Sequence, residues 1–323
     1  MKVIVRERYG APEVLELRDV EKPVVDDDSV LVRVRAASIN AYDVHMMRGS
    51  PSLVRLMAGL RKPKSSAMGV DLAGEVEAVG RNVTQFQAGD EVFGSRTGSL
   101  GEYVRCTEKS TLGPKPAGIS FEEAAAVPMA ATTALQGLRD KGQIGPGKRV
   151  LINGASGGVG TFAVQIAKAL GAHVTAVCST RNVEQARSLG ADEVIDYTKE
   201  DFTKRGRRYD VILDVAATGS LASRRRVLEP NGTLVGVGSA NNDGTASIAA
   251  GLLQTAVMSR FGNQKMPFFL AKNSKDDLLF LKDLIEAGKV RPVIDRTYPL
   301  TEIAEAMRYM ETGHARAKVV ITV

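Results

Sequence analysis

A glycine-rich turn between an apolar strand and an alanine-rich helix is the clearest chemical signal in the chain. Residues 150–160 read VLINGASGGVG, and a helical pattern follows at once. The dinucleotide pattern of three spaced glycines falls on Ala155, Gly157 and Gly160, so alanine replaces the first glycine. Gly157 lets backbone approach a pyrophosphate, and Gly160 lets the helix pack on the strand. Because N–H groups at a helix start attract phosphates, the turn predicts dinucleotide binding, with a purely structural turn as the alternative.

The end of the next predicted strand indicates which nicotinamide is preferred. NAD-selective sites place Asp or Glu there, against the ribose 2′-hydroxyl. Here Ser179, Thr180 and Arg181 stand at the strand end, and none of them is an acid. A guanidinium suits a phosphate because its forked donors bind two oxygens at once. The sequence therefore predicts NADPH, and the alternative is that Ser179 only caps the following helix.

Residues that bind metals or form disulfides are sparse. The three histidines, His45, His173 and His314, are scattered and have no metal-ligand spacing. Cys106 and Cys178 lie far apart, so we interpret them as buried free thiols rather than a disulfide framework.

The elements that must position the turn change character along the chain. Before residue 120 the pattern is β-rich, with strands predicted at 29–40, 70–80 and 90–93 and short helices at about 41–48 and 52–60. From a helical stretch at 121–140, with Ser120 as its cap, helices and strands alternate, which predicts a parallel sheet covered by helices. After about residue 265, helices at 276–287 and 303–310 precede a last strand at 318–323.

Length and composition fit a globular protein of two domains. The chain has 323 residues, 44% of them hydrophobic and 25% charged. No apolar run approaches the roughly 20 residues that span a bilayer. The opening residues lack the apolar region of a signal peptide, so a cytoplasmic location is expected by default. The net charge of +6 is spread over short basic clusters with few aromatic neighbours, which favours solvated faces over a nucleic-acid surface.

Five segments together resemble the medium-chain dehydrogenase/reductase superfamily. They read GVDLAGEVEAVG, GDEVFG, ASGGVG, RSLGADEVIDY and ARAKVVITV, and they occur in this order along the chain. The nearest branch is the zinc-independent, quinone oxidoreductase-like group with zeta-crystallin-type and reticulon-interacting-protein-like members. The resemblance implies an α/β fold with a GroES-like β-barrel catalytic domain at 1–120. A Rossmann domain with a doubly wound parallel sheet follows at 121–265, and 266–323 returns to the first domain.

The resemblance also implies a cleft between the domains, an NADPH cofactor and a homodimer. Asn40 would lie near the nicotinamide, Tyr197 would flank the adenosine end, and Lys318 would reach back toward a phosphate. Packing is the alternative for Tyr197, and a solvated edge position is the alternative for Lys318. The implied cofactor contacts are Asn40, Thr132, Ser156, Gly157, Gly158, Val159, Ser179, Arg181, Tyr197, Ala216, Gly238 and Lys318.

The chain departs from the zinc-dependent relatives at the metal positions. Asn40 stands where they carry the first cysteine ligand. Gly69-Val70-Asp71 matches their Gly-His-Glu segment, so valine replaces histidine. No four-cysteine lobe occurs between Asp90 and Glu108. We therefore expect no metal, and without a Lewis acid the oxidation of an alcohol becomes difficult. Hydride delivery to a quinone or an enone demands less of the protein, because the acceptor delocalises the charge.

Two side chains just after Asn40 are candidates for catalysis. Tyr42 could hydrogen-bond a carbonyl, and His45 could relay a proton near neutral pH. The alternative is that both are surface or packing residues at a helix start, and Asp43 is expected to cap or pair locally. Pro51 replaces the tyrosine of acyl-thioester reductases, which disfavours that activity.

The leading prediction is a zinc-free oxidoreductase that transfers hydride from NADPH to a quinone or an α,β-unsaturated carbonyl. A second interpretation is a zinc-free, NADP-dependent carbonyl reductase or alcohol dehydrogenase-like enzyme that uses Tyr42 or His45 as the acid. A third is a catalytically weak protein that binds NADPH or RNA. Phe261, Phe268 and Phe269 could form the lid of the substrate pocket, although core packing is equally consistent with their spacing.

Overall fold

The computed structural model describes residues 1–217, 219–237, 263–267 and 269–323. The strands are β1 (Lys2–Val5), β2 (Glu16–Asp19), β3 (Ser29–Ile39), β4 (Asp71–Val79), β5 (Glu91–Ser95), β6 (Tyr103–Thr107), β7 (Thr111–Pro114), β8 (Arg149–Asn153), β9 (His173–Cys178), β10 (Glu193–Asp196), β11 (Tyr209–Asp214), β12 (Leu228–Gly236), β13 (Ile294–Pro299) and β14 (Lys318–Thr322).

The helices within these described ranges are α1 (Ala41–Arg48), α2 (Leu53–Ala58), α3 (Phe121–Ala125), α4 (Pro128–Leu135), α5 (Gly158–Ala169), α6 (Val183–Ser188), α7 (Leu221–Arg226), α8 (Lys275–Glu286) and α9 (Ile303–Glu311). A π-helical turn, Gln136–Lys141, continues α4. Short 3-10 turns lie at Pro12–Val14, Thr180–Asn182, Phe202–Lys204 and Leu300–Glu302. Of the helices in the described part of the chain, none has the length and apolar character needed to cross a membrane.

The first large sheet joins the two ends of the sequence. Its strand order is β13-β14-β3-β4-β5-β7, and β6 also pairs with β3. The late strand β14 lies antiparallel to β3, with Val319 opposite Ile39. On the other side of β3, Ser38 lies opposite Asp71 of β4. The resemblance predicted a β-barrel here, but the described strands do not close one, because the path ends at β13 and β7.

The second large sheet is parallel, as the alternating pattern predicted. Its order is β10-β9-β8-β11-β12, so β8 lies at the centre and the chain moves outward in both directions. The chain runs outward from β8 to β10 and then returns to β11 on the other side of β8. This change of direction creates a crevice at the carboxyl ends of β8 and β11, where ligands bind in sheets of this type. A parallel bridge from Thr233 to Lys265 continues the sheet beyond β12.

The core of this half forms because β8 is apolar on both faces. Val150 and Ile152 belong to one buried cluster with α4 and α5, whereas Leu151 belongs to another with β10 and β12. The predicted helix at 121–140 is divided, since Pro128 begins α4 and lacks the N–H that would continue α3. Ser120 does cap α3, and its hydroxyl accepts from the backbone N–H of Glu123 at 3.2 Å.

Candidate functional site

The glycine turn lies at the crevice between β8 and β11. Gly157 precedes α5 with extended backbone, and Gly160 lies in the first turn of that helix. A Cβ atom on Gly160 would lie 2.1 Å from the carbonyl oxygen of Gly154, so only glycine fits this close approach. A Cβ atom on Gly157 would meet no protein atom nearer than 3.7 Å. The space beside Gly157 is therefore open, as a phosphate-binding turn requires.

The neighbouring strand end supports the turn. The side-chain amide of Asn153 donates to Asp214 at 2.7 Å, which joins the carboxyl ends of β8 and β11. The backbone N–H of Ala216 donates to the Asn153 carbonyl at 3.2 Å, and a Cβ on Gly154 would lie 3.1 Å from the Ala216 methyl group. Ala216 thus lies at the same edge as Gly154, where the resemblance placed a cofactor contact.

The predicted 2′-phosphate residues follow β9 at this edge. Ser179 is partly buried, and its hydroxyl accepts from the side-chain amide of Asn182 at 3.1 Å. Arg181 is exposed, and its guanidinium donates to the backbone carbonyl of His314 at 3.1 Å. Tyr197, which follows β10, is 61% exposed and packs little. The three side chains are accessible at the carboxyl ends of β9 and β10.

An acid that the sequence reasoning did not weigh also lies here. Asp196, the last residue of β10, accepts hydrogen bonds from the hydroxyls of Thr180 and Thr198 at 2.6 and 2.7 Å. These bonds, that from Thr180 first, lower the pKa of Asp196 to about 2. The carboxylate therefore already accepts hydrogen bonds from two threonines.

Other predicted positions lie on α4, around the start of α5 or outside the described residues. Thr132 is buried on α4, which packs against α5. Ser156, Gly158 and Val159 are half-buried around the start of α5. Phe269 is core, as one of the two interpretations proposed, because it is buried in the cluster that contains α4 and α5. Gly238, Phe261 and Phe268 lie outside the described residues.

Asn40 is the centre of a buried polar cluster between the sheets. Its backbone N–H donates to Asp43 at 2.8 Å, so the expected local pairing of Asp43 is confirmed. Its side-chain Nδ2 donates to Asp71 at 3.0 Å. Its side-chain Oδ1 accepts from the Lys318 ammonium at 2.5 Å. We call Asn40, Asp43, Asp71 and Lys318 the Asn40 cluster.

Asp71 is the most extensively bonded member of this cluster. It accepts from the hydroxyls of Ser38 and Ser95, both at 3.2 Å, and from the backbone N–H of Met129 at 3.1 Å. With Asn40, these donors belong to β3, β5, α4 and the residue before α1. The carboxylate therefore ties the strands of the first sheet to the helix that precedes the parallel sheet.

Burial shifts the pKa of all three ionisable members. Asp43 and Asp71 are 1% and 0% exposed, and Lys318 is 2% exposed. Burial raises the pKa of Asp43 to about 7. Burial also raises the pKa of Asp71, although the Lys318 ammonium opposes the rise. The pKa of Lys318 is lowered by burial, while Asp71 and Asp43 act in the opposite direction.

Lys318 is 2% exposed, so it is not a solvated edge lysine. Its ammonium lies 2.5 Å from the side-chain oxygen of Asn40 and 3.7 Å from a carboxylate oxygen of Asp71. Its stem does pass the phosphate turn, because a Cβ on Gly158 would lie 3.2 Å from the Lys318 Cδ atom. The side chain thus connects the start of α5 to Asn40.

The two catalytic candidates lie on α1, beside this cluster. Tyr42 is 42% exposed, and its pKa is raised by partial burial and by the nearby Asp43. His45 is partly buried, and its Nδ1 lies 2.8 Å from the carbonyl oxygen of Ser50. Arg6, which interacts electrostatically with Tyr42 and Asp43, is only 4% exposed, and its Nε and Nη1 atoms have no hydrogen-bond partner. Tyr42 is therefore the more accessible of the two catalytic candidates.

Metal-ligating groups and thiols add no further site within the described ranges. No group of three or more His, Cys, Asp or Glu residues there could hold a metal ion. Cys106 and Cys178 are free and buried, as predicted. Three arginines of the basic clusters are paired with acids: Arg205 and Arg207 with Glu193, and Arg224 with Asp214.

The family resemblance implied separate cofactor contacts for Asn40 and Lys318 and no role for Asp71. The one available signal was an acid inside the apolar strand pattern of VDLAGEVEAV, where an unpaired carboxylate would be costly. That signal shows that Asp71 needs partners, but it does not show that Lys318 is one of them. The pairing depends on β14 lying beside β3, which is a property of the fold.

Two family descriptions match most of the chain. Residues 26–137 match "Alcohol dehydrogenase GroES-like domain", and residues 189–321 match "Zinc-binding dehydrogenase". The first match covers β3 to β7 and α4, and the second covers β10 to β14. The strands of the first large sheet therefore lie almost entirely within these matches, whereas β8 and β9 of the parallel sheet lie between them.

Individual proteins are similar over nearly the whole chain. The mouse protein named "NAD(P)H oxidoreductase RTN4IP1, mitochondrial" is 36% identical over 100% of this chain and 89% of its own length. The Arabidopsis thaliana "NADPH-dependent alkenal/one oxidoreductase, chloroplastic" is 33% identical over 99% of this chain and 79% of its own length. A solved structure, the quinone oxidoreductase from Coxiella burnetii, superposes with a TM-score of 0.86 at 30% identity, covering 100% of this chain and 99% of that one.

The prediction of a cytoplasmic location is wrong. The mouse relative is named as mitochondrial and the Arabidopsis relative as chloroplastic, and neither supports the cytoplasm. The prediction rested on the lack of an apolar signal-peptide region. Leaders for these organelles are instead amphipathic and rich in Arg or Ser, so that criterion does not detect them.

The predicted resemblance is confirmed by these matches and by the arrangement of the two sheets. The relatives share the glycine-turn half and the half that carries Asn40, over their common length. The chain belongs to the medium-chain dehydrogenase/reductase superfamily, in its quinone oxidoreductase-like branch.

Proposed function

We propose that the protein transfers hydride from NADPH to a quinone or an α,β-unsaturated carbonyl, without a catalytic metal. The observation that carries the proposal is the open edge of the parallel sheet. There the glycine turn and the exposed Arg181 lie at the ends of adjacent strands, β8 and β9. The names of the mouse and Arabidopsis relatives support NAD(P)H as the cofactor, and the Arabidopsis name supports NADPH.

The described residues fit the dinucleotide along this edge. Ser156 to Val159 would bind the pyrophosphate through the N–H groups at the start of α5. Ser179 and Arg181 would hold the 2′-phosphate, for which Arg181 has free donors beyond its bond to His314. Tyr197 would flank the adenosine. On the other half, Ala216, Thr132 and Asn40 would line the nicotinamide side, as would Gly238, which lies outside the described residues.

The chemistry needs little more than alignment, exclusion of water and a proton. When bound, NADPH supplies the hydride. The acceptor then carries a negative charge that is spread over its conjugated oxygen, and that oxygen takes a proton. Tyr42 is the accessible donor near Asn40, and His45 lies one turn further along α1. The protein contributes mainly the fixed geometry of the cleft.

The zinc-free part of the proposal rests on the Asn40 cluster. Asn40 and Val70 stand where the zinc-dependent relatives carry a cysteine and a histidine ligand. Asn40 and the neighbouring Asp71 face the Lys318 ammonium, at 2.5 and 3.7 Å. The ammonium would repel a divalent cation at this place, and the Asn40 and Asp71 oxygens that could bind the cation already accept hydrogen bonds.

A carbonyl reductase is the second candidate, because Tyr42 is 42% exposed beside the cluster and could protonate a simple carbonyl. The two candidates differ in their acceptors. A carbonyl reductase should reduce saturated ketones and aldehydes, whereas the leading proposal requires a conjugated acceptor.

We also propose the domain limits 1–120, 121–265 and 266–323, and a homodimer. The pairing of β14 with β3 supports the return of the last segment to the first domain. The homodimer rests on the family resemblance, and light scattering of the purified protein tests it directly.

The test is NADPH oxidation by purified, chelator-treated protein. The acceptors are 9,10-phenanthrenequinone, 1,4-benzoquinone, an α,β-unsaturated ketone and its saturated counterpart, each repeated with NADH. Turnover of a conjugated acceptor that is faster with NADPH supports the proposal. Turnover of the saturated ketone alone supports the carbonyl reductase. Loss of activity to the chelator, restored by zinc, would overturn the zinc-free part.

A further inference from the structure

Three buried ionisable groups bond to Asn40 in this protein: Asp71 and Lys318 to its side-chain amide, and Asp43 to its backbone N–H. Asp43, Asp71 and Lys318 each bond a different atom of Asn40, at 2.8, 3.0 and 2.5 Å. The hydride-transfer chemistry described above uses Asn40 but neither Asp71 nor Lys318. Burying two opposite charges is costly, so their presence at 0% and 2% exposure needs a reason beyond stability.

We propose that Lys318 and Asp71 are positioning residues that hold the Asn40 amide in a single orientation for the nicotinamide. We further propose that Lys318 couples this orientation to the phosphate turn. This inference rests on the proposed function, because it assumes that the nicotinamide lies against Asn40.

The orientation follows from donor and acceptor chemistry. An ammonium can only donate, and an ionised carboxylate can only accept. The Asn40 side-chain oxygen must therefore face Lys318, and its nitrogen must face Asp71. A flipped amide would place its nitrogen against the ammonium and its oxygen against the carboxylate, losing both bonds. One lone pair of Oδ1 and one N–H of Nδ2 remain for a ligand. The two charged neighbours fix the directions in which they point.

Asp71 is suited to this role because its own position is fixed from several sides. Ser38, Ser95 and the Met129 backbone all donate to it, at 3.1 to 3.2 Å. These donors bond both carboxylate oxygens, so the position of the carboxylate is held from several sides. Asn40 therefore receives an acceptor that does not move when the amide meets a ligand.

The coupling follows from the path of the Lys318 side chain. Its Cδ atom lies 3.2 Å from the place where a Cβ on Gly158 would stand, and Gly158 is the first residue of α5. The carbonyl oxygen of Ala317 lies 3.5 Å from the same place. A shift of α5 on binding phosphate would therefore push on Lys318, and through it on Asn40.

The test compares the whole cofactor with the part that lacks nicotinamide. Calorimetry measures the binding of NADPH and of 2′,5′-ADP to the full chain and to Lys318→Met. We expect NADPH affinity to fall roughly 10- to 100-fold, which corresponds to the loss of one hydrogen bond to a charged group, while 2′,5′-ADP affinity changes less than about twofold. Hydride transfer from stereospecifically 4-deuterated NADPH should lose its preference for one face of the ring.

Two further variants keep the test decisive. Asp71→Asn combined with Lys318→Met removes both charges together, so it should fold where the single variant leaves Asp71 uncompensated, and it should show the same selective loss of NADPH affinity. Lys115→Met is the matched control, because Lys115 is also a buried lysine with an acidic partner, Glu91 at 3.2 Å, but does not contact Asn40. It should leave both affinities unchanged.

The outcomes distinguish the positioning role of Lys318 and Asp71 from the proposed function. The positioning role is overturned if Lys318→Met and the double variant lose affinity for NADPH and 2′,5′-ADP equally, or if neither affinity falls. The proposed function stands in both cases. Failure of the unaltered protein to bind NADPH overturns the proposed function and this inference with it.

Discussion

The Lys318 ammonium lies 2.5 Å from the side-chain oxygen of Asn40, although 278 residues separate them in the chain. This contact exists because β14 lies beside β3, which ends at Ile39. It places an internal cation between an amide and the carboxylate of Asp71. The half of the molecule that carries Asn40 is thus connected to the phosphate turn by one side chain.

The two inner glycines of the turn should respond differently to alanine. Gly160→Ala places a methyl group 2.1 Å from the Gly154 carbonyl oxygen, so we expect a loss of stability of about 1–3 kcal/mol, as overpacking causes. Gly157→Ala meets no protein atom within 3.7 Å, so its stability should change by less than about 0.5 kcal/mol. Its NADPH affinity should nevertheless fall, because the methyl group enters the phosphate space. Urea denaturation and NADPH titration measure the two effects.

Gly145→Ala is the control for this pair, since a Cβ there meets no atom within 4 Å and the residue lies before β8. If Gly157→Ala binds NADPH as tightly as this control, the pyrophosphate does not lie against Gly157.

Arg181 should determine the preference for NADPH over NADH. Its guanidinium is exposed, and its bond to the His314 carbonyl uses only one of its donors. Arg181→Gln removes a charged partner of the 2′-phosphate, worth about 1.5–3 kcal/mol, so kcat/KM for NADPH should fall roughly 10- to 100-fold. The value for NADH should be unchanged, because NADH lacks the phosphate.

Arg187→Gln is the control for charge alone. Arg187 is also exposed and lies on α6, where it pairs with Glu184 at 2.6 Å. A similar loss for both variants would mean that general positive potential, rather than Arg181 itself, selects the phosphate.

Asp43 should make stability depend on pH. Burial raises its pKa from 3.8 to about 7 in the folded chain. Between about pH 4 and 7 the folded protein keeps a proton that the unfolded chain releases, so the free energy of unfolding decreases as pH rises through this range. The contribution is at most about 4 kcal/mol, at about 1.36 kcal/mol per pKa unit. The neighbouring charges on Asp43 come from Asp71, Lys318, Arg6 and the Tyr42 phenol.

Asp43→Asn removes this titration but keeps an acceptor for the Asn40 N–H. Denaturation curves at pH 5 and pH 8 should show a larger fall for the unaltered protein than for the variant. Equal falls would show that Asp43 is ionised throughout that range.

Both thiols should be unreactive in the folded protein. Burial raises the pKa of Cys106 to about 12 and that of Cys178 to about 11, so almost no thiolate is present at pH 8. Intact-mass measurement after iodoacetamide treatment should show no adduct on native protein and two adducts in denaturant. Rapid labelling of the native chain at either cysteine would contradict the packing around that residue.

Local patterns predicted the elements that carry the cofactor edge. The alternation of strands and helices predicted after residue 120 is observed as β8 to β12 with α5 to α7, which form the parallel sheet and its helices. These segments succeed because strand alternation, glycine and the helix start are all encoded within a few residues. The predicted zinc-free character and the roles of Tyr42 and His45 stay predictions.

Elements that depend on distant partners were not predictable in the same way. Strand β13 is mostly polar and partly exposed, and only its pairing with β14 identifies it as a strand. The Asn40 cluster is a similar case, since Lys318 and Asp71 become neighbours only when both β4 and β14 pair with β3. The sequence indicates that buried charges need partners, but the strand order determines which residues become those partners.

The pairing of β14 with β3 has a consequence for synthesis on the ribosome. All five strands of the parallel sheet lie between residues 149 and 236, so that half can assemble while later residues are still being added. Strand β3 emerges early, yet one of its neighbours comes from residues 318–322. Until then β3 exposes backbone groups that would be paired in the finished sheet, and such edges promote association between chains. We therefore expect the nascent chain to depend on holding chaperones for most of its translation, and the Asn40 cluster to be the last part of the molecule to form.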